Sequence, residues 1–148
     1  MQAIPGKADG ECITGGSIMI LTTTLSMAAA AAIINLWLGI RCGQVRAKAK
    51  VIHGDGGNPL LMQRMRAQSN FIENTPLAVI LVGLVELAGR GGIWLAPVAG
   101  LFILGRVAHG IGMDKPGANL ARGFGALSAM LVQLGLAVVC VLIALGKL

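Results

Sequence analysis

Charge is scarce in this chain. Only 12% of its 148 residues are charged, 12 basic against 6 acidic, where a soluble domain carries about 25%. Tyrosine is absent and all aromatics together make 3%, which removes most of the side chains on which nucleic-acid bases stack. The formal charge of +6 is therefore assigned to membrane topology and an anionic ligand, and nucleic acid is not expected as a partner. Cys12, Cys42 and Cys140 are odd in number, scattered, and form no Cys-x-x-Cys pair, so neither a disulfide framework nor a redox motif is expected. With His53 and His109 as the only histidines, no zinc set can be assembled, and the expected metal is none.

What the chain has is apolar length. It is 55% hydrophobic, with a mean hydropathy of +0.79, a balance that belongs in lipid rather than water. Residues 1–16 are polar and glycine-rich and read as a flexible tail. From residue 17 to 148 the chain reads as one all-α domain of four transmembrane helices. The first apolar run, from Ser17 to Ile40, is too long for a signal-peptide core and reads as an uncleaved span. Arg41 to Asn58 reads as a basic connection. Asn58-Pro59 is a helix start, with Asn as cap and Pro in the first turn, and the second helix runs from Pro59 to Ala88. Gly89-Arg90-Gly91-Gly92 is a turn, Ile93 to Met113 the third span, Asp114-Lys115-Pro116-Gly117 the next turn, and Ala118 to Leu145 the fourth span. Glu86 and Arg90, four residues apart, read as an interfacial ion pair.

Cations gather at one end of this pattern. Arg41, Arg46, Lys48, Lys50, Arg64 and Arg66 flank the first connection and Lys115 the third, against Lys7, Arg90 and Lys147 at the other end. The positive-inside rule puts the basic connections in the cytoplasm and both termini outside. The same end collects the polar residues that a bilayer tolerates only where something uses them. Arg66, Asn70 and Glu73 fall at i, i+4 and i+7 on one helical face. Arg106 and His109 share a face of the third helix, Arg122 opens the fourth, and Arg46 closes the first. Arginine can grip a carboxylate with two donors, Glu73 can accept an ammonium, and an arginine beside a sulfur favours the thiolate. Each has a plainer reading. Arg46 can be a topology charge, Glu73 a partner of Arg66 or Arg106, and His109 a hydrogen-bonded interior histidine. The glycines at 105, 110, 112, 123 and 125 read as helix-packing positions, and Ala28, Ala32, Gly125 and Ala129 as small-residue faces that permit close helix contact.

The stretch Arg66-Ala67-Gln68-Ser69-Asn70-Phe71-Ile72-Glu73-Asn74-Thr75-Pro76 resembles the second helix of the MAPEG family, the membrane-associated proteins of eicosanoid and glutathione metabolism. Gly43-Gln44-Val45-Arg46 is similar to the end of helix one in its prostaglandin E synthase branch. Gly105-Arg106-Val107-Ala108-His109 is similar to the helix-three site motif, and Arg122 falls at the helix-four arginine. The Gly54-Asp55-Gly56-Gly57 loop is more like the small bacterial inner-membrane members. The resemblance implies a homotrimer of four-helix subunits in a bacterial inner membrane, with glutathione as co-substrate and a lipophilic small molecule or lipid as second partner. It implies that Arg46, Arg66, Asn70, Glu73, Arg106 and His109 hold the tripeptide and that Arg122, in the catalytic role, activates its thiol. The chain departs from the family at Ser69, which stands for a second site arginine, and at Met113, Gly123 and Ala126, which stand where family enzymes carry Tyr or Ser. A dedicated prostaglandin or leukotriene synthase is not expected. The expectation is a glutathione transferase or peroxidase acting on lipophilic electrophiles or hydroperoxides. The alternatives are a ligand-binding member without turnover and, ranked last, a small membrane exporter.

Overall fold

Four long helices make the fold, and their unequal lengths decide where the polar end lies. The structure, a computed structural model, describes residues 20–148; the tail at residues 1–16, Cys12 and the start of the first expected span lie outside the described residues. The helices are α1 (Thr22–Ala49), α2 (Pro59–Leu87), α3 (Gly92–Gly112) and α4 (Leu120–Ala144). All four are long and apolar enough to cross a membrane, so the chain is an integral membrane four-helix bundle. At 21 residues α3 only just spans a bilayer, whereas α1 and α2 have 28 and 29. A crossing needs about 20 residues, so α1 and α2 carry roughly two extra turns into the polar zone. Those turns hold the basic and amide residues.

The basic connection is shorter than expected. Residues 41–49 continue α1, because Cys42 and Val45 are buried along it and the residues between are mostly tolerant of helix. The helix ends at Lys50, which adopts the left-handed conformation (φ 54°), and the N–H groups of Lys50 and Val51 both return to the Arg46 carbonyl. At the start of α2 the Asn58 side chain accepts the Leu61 N–H at 3.1 Å, the expected cap.

Glu86 corrects a second expectation. Its carboxylate accepts the N–H groups of Thr23 and Thr24, both at 2.9 Å, and the Thr24 hydroxyl at 2.7 Å; no ion pair with Arg90 occurs among the described residues. The reason lies in the start of α1. Leu21 stands at its cap position and has no acceptor to offer, so a carboxylate from α2 satisfies the orphan donors and meets the positive end of the helix.

Two apolar clusters fill the bundle. Phe102, Leu95, Leu136, Val82 and Val85 anchor the one toward the Glu86 end, and Leu38, Ile34, Phe71 and Met113 the one toward the basic end. Between α3 and α4 the contact is close enough to require glycine. A Cβ on Gly105 would run into the Ser128 hydroxyl, and one on Gly125 would stand 2.5 Å from His109 Cβ and 2.8 Å from its backbone nitrogen. Gly125 and Ala129 are thus spent inside the bundle, not on an outer face; Ala28 and Ala32 do face outward. Gly123, unlike its neighbours, has open space where a Cβ would stand.

Candidate functional site

At the basic end, α2, α3 and α4 enclose a cleft of about 180 Å³ lined by Arg66, Ser69, Asn70, Glu73, His109, Met113 and Arg122. Each arrives by a separate local cause. The i, i+4, i+7 spacing puts Arg66, Asn70 and Glu73 on one stripe of α2. His109 is carried beside Gly125 by the close α3–α4 crossing, and its Nδ1 lies 3.4 Å from the Arg122 carbonyl oxygen. Asn119 caps α4: its Oδ1 accepts the Arg122 N–H at 3.0 Å and its Nδ2 donates to the Gly112 carbonyl at 2.8 Å. That pair of bonds ties the first turn of α4, and Arg122 with it, to the last turn of α3.

The charged members are unpaired among the described residues. Arg66, Glu73 and Arg122 are exposed, and none forms an ion pair among the described residues. Two cations and one carboxylate therefore face a common space with a surplus positive charge, a match for a ligand of net negative charge that also carries a cation. Neither structural partner considered for Glu73 from the sequence, Arg66 or Arg106, bonds to it.

Arg106 sits behind the cleft, not in its wall. It is 2% exposed; Nη1 donates to Asn70 Oδ1 at 2.7 Å, Nη2 donates to the Gly125 carbonyl, and the guanidinium lies over the Phe102 ring, 5.5 Å from its centroid. Arg46 is not brought to the cleft. Its Nη1 donates to the carbonyls of Ile52 (3.3 Å) and Gly54 (2.8 Å), and its Nη2 lies 3.3 Å from Met65 Sδ. There it holds the 50–58 loop against the ends of α1 and α2.

Three arrangements escaped the sequence reading. Asp114, read as part of a turn, is gripped by Arg41 of α1 and Arg64 of α2. Burial raises the Asp114 carboxyl, but hydrogen bonds from Arg64 and Arg41 outweigh it and hold the group below its ordinary value. Gln133 of α4 donates to Asn74 Oδ1 at 3.0 Å, and Asn74 Nδ2 donates to the Asn70 carbonyl at 2.7 Å, an amide ladder running from the cleft into the span. Asn119 was legible by the same cap logic that identified Asn58. The other two pair residues 50 or more apart in sequence, and no local spacing announces them.

Residues 24–142 match the model of the MAPEG family. The chain is 31% identical over 67 residues to the inner membrane protein YecN of Escherichia coli strain K12, a match covering 45% of this chain and 50% of that protein. The protein of the same name in Escherichia coli O6:H1 matches to the same extent. The chain thus spans about half the length of the curated relatives it matches.

Proposed function

The chain belongs to the MAPEG family, and from that premise we propose that it binds glutathione at the α2–α3–α4 cleft and uses its thiolate on lipophilic electrophiles or hydroperoxides. The observation that carries the reading is the set Arg66, Glu73 and Arg122, without ion-pair partners among the described residues, around one space at the polar end of the bundle. Glutathione brings two carboxylates, an ammonium and a thiol. Arg66 binds a carboxylate, Glu73 accepts the ammonium, Asn70 and His109 add hydrogen bonds, and Arg122 stands by the sulfur and favours its ionised form. With an aryl halide, the thiolate forms an S–C bond and halide leaves. With a hydroperoxide, the sulfur takes the terminal oxygen as the O–O bond breaks, giving an alcohol and a sulfenic acid, which a second glutathione reduces to disulfide and water.

The assembly in this reading is the homotrimer that the family resemblance implies. An apolar groove between α1 and α2, lined by Ala28, Ala32, Ile72 and Ile80, supports a neighbour at that face. The membrane is a bacterial inner membrane, in keeping with the name of the Escherichia coli relatives. The connection at residues 50–58 and the one before α4 face the cytoplasm, from the excess of cations there.

A binding member without turnover is the second reading, favoured by one observation: no tyrosine occurs in the chain, and Met113 lines the cleft where a phenol would add a donor. An exporter ranks last, because Glu86 stands one residue from the end of α2 and is already committed to capping α1. Titration of the detergent-solubilised protein with glutathione, followed by assays with a reactive aryl halide and an organic hydroperoxide, decides among them. Binding with turnover is expected; binding alone selects the second reading, and no binding removes both.

A further inference from the structure

A buried arginine in a membrane bundle demands a use. Arg106 is 2% exposed, has no carboxylate at ion-pair distance among the described residues, and leaves Nε without a partner. Its two bonded nitrogens go to neutral oxygens, Asn70 Oδ1 at 2.7 Å and the Gly125 carbonyl. Asn70 lines the cleft and Arg106 does not.

A guanidinium offers only donors. The oxygen of the Asn70 amide must therefore face Arg106, and its nitrogen is turned away from it. A bond from an ionised donor in a low-dielectric interior is among the stronger kinds, so the amide is held against flipping. The backbone of the same residue is gripped from the other side, since its carbonyl accepts Asn74 Nδ2 and Asn74 is in turn held by Gln133. No partner among the described residues occupies Asn70 Nδ2, and the atom is not enclosed.

We infer that Arg106 is a positioning residue that locks Asn70 with its NH₂ group toward the cleft, so that Asn70 recognises a hydrogen-bond acceptor, a carboxylate or peptide carbonyl oxygen, on the ligand. The ligand's identity rests on the glutathione reading; the locking does not. Arg106 thus contributes through Asn70 and Gly125 rather than by touching the tripeptide.

Two measurements separate these levels. Side-chain amide resonances of the ¹⁵N-asparagine-labelled protein, without ligand, test the lock. The Asn70 pair, identified by its loss in Asn70→Ala, should shift or broaden in Arg106→Met; an unchanged pair overturns the inference. Glutathione titration then tests the route. Arg106→Met and Asn70→Ala should each weaken binding about tenfold, as for one lost hydrogen bond, and the double variant should bind no more weakly than Asn70→Ala within about twofold. Losses that multiply mean that Arg106 acts on the ligand directly and overturn the inference. If Arg106→Met does not fold, Asn70→Asp serves instead. Its carboxylate pairs with Arg106, so the bundle should be at least as heat-stable, yet the cleft loses its donor and binding should weaken about tenfold. Wild-type affinity in Asn70→Asp overturns the donor assignment. Failure of the wild type to bind glutathione removes the proposed ligand, and the resonance still decides the lock.

Discussion

Arg64 lays two guanidinium nitrogens on the Asp114 carboxylate, Nε to Oδ1 at 3.1 Å and Nη2 to Oδ2 at 3.0 Å. Its third nitrogen, Nη1, donates to the Arg41 carbonyl at 2.9 Å. Arg41 in turn bonds the same carboxylate and the Gly110 carbonyl, with its guanidinium 4.5 Å from the Trp37 ring centroid. One carboxylate at the end of α3 thus joins α1 and α2 at the mouth of the bundle, one residue from Met113 in the cleft wall.

Replacing Asp114 by Asn should therefore destabilise the bundle. The side chains are 12–29% exposed, between the limits of surface and buried pairs, so the loss should be about 2 kcal/mol, read as thermal unfolding in detergent. Because the folded Asp114 carboxyl is held below its ordinary value, the wild-type contribution is intact above the unfolded value near about 4. It is lost as pH falls through the folded value. The Asn variant should lack that acid-side decline; equal acid sensitivity in both proteins refutes this assignment.

The lengths and limits of α2, α3 and α4 were legible because apolar runs, the Asn58-Pro59 start and the glycine turns are local signals. The single stripe of Arg66, Asn70 and Glu73 was legible for the same reason, since helical spacing alone puts the three on one face. Two misreadings share a physical cause. Arg41 was assigned to a connection because its charge argues against a span, but a carboxylate from the far end of α3 compensates it within a helix. Glu86 was paired with its i+4 neighbour because spacing cannot reveal that α1 begins without a cap of its own. Charges satisfied by distant partners leave no trace in spacing.

The α3–α4 crossing makes a sharper test of packing. Gly125→Ala would bring a methyl carbon against the His109 backbone, and Gly105→Ala would place one on the Ser128 hydroxyl. Each should cost about 1–3 kcal/mol by overpacking. Gly123→Ala, with open space around it, should be neutral or slightly stabilising through helix propensity. Thermal unfolding of the three variants side by side checks the order, and a destabilised Gly123→Ala would contradict it.

Glu86→Gln removes the charge but keeps one acceptor. The cap on α1 should weaken by about 1 kcal/mol, seen as faster hydrogen exchange at the backbone amides of Thr23 and Thr24. Glutathione binding at the opposite end of the bundle should not change. If instead Glu86→Gln abolishes a proton-coupled transport activity in vesicles while the exchange rates stay as in the wild type, the exporter reading replaces the one proposed.

Arg122 and Glu73 face the same cleft but should fail in different ways. An arginine beside a sulfur stabilises thiolate over thiol, so its loss lowers the ionised fraction near neutral pH without removing the contacts that hold the tripeptide. The Asn119 cap bonds the Arg122 backbone rather than its side chain, so Arg122→Ala leaves the start of α4 in place. It should keep glutathione affinity within a few-fold, lose the ultraviolet absorbance of the bound thiolate, and lose turnover. Glu73 meets an ammonium that takes no part in bond-making, so its contribution is the same in the ground and transition states. Glu73→Gln should raise Kd by about 1.5–3 kcal/mol, the worth of a charged hydrogen bond, and leave the thiolate fraction at saturation unchanged. Since the chain has no tyrosine, no phenol can substitute for Arg122 at the sulfur. Full thiolate signal and rate in Arg122→Ala would therefore remove Arg122 from the chemistry, even with glutathione still bound at this cleft.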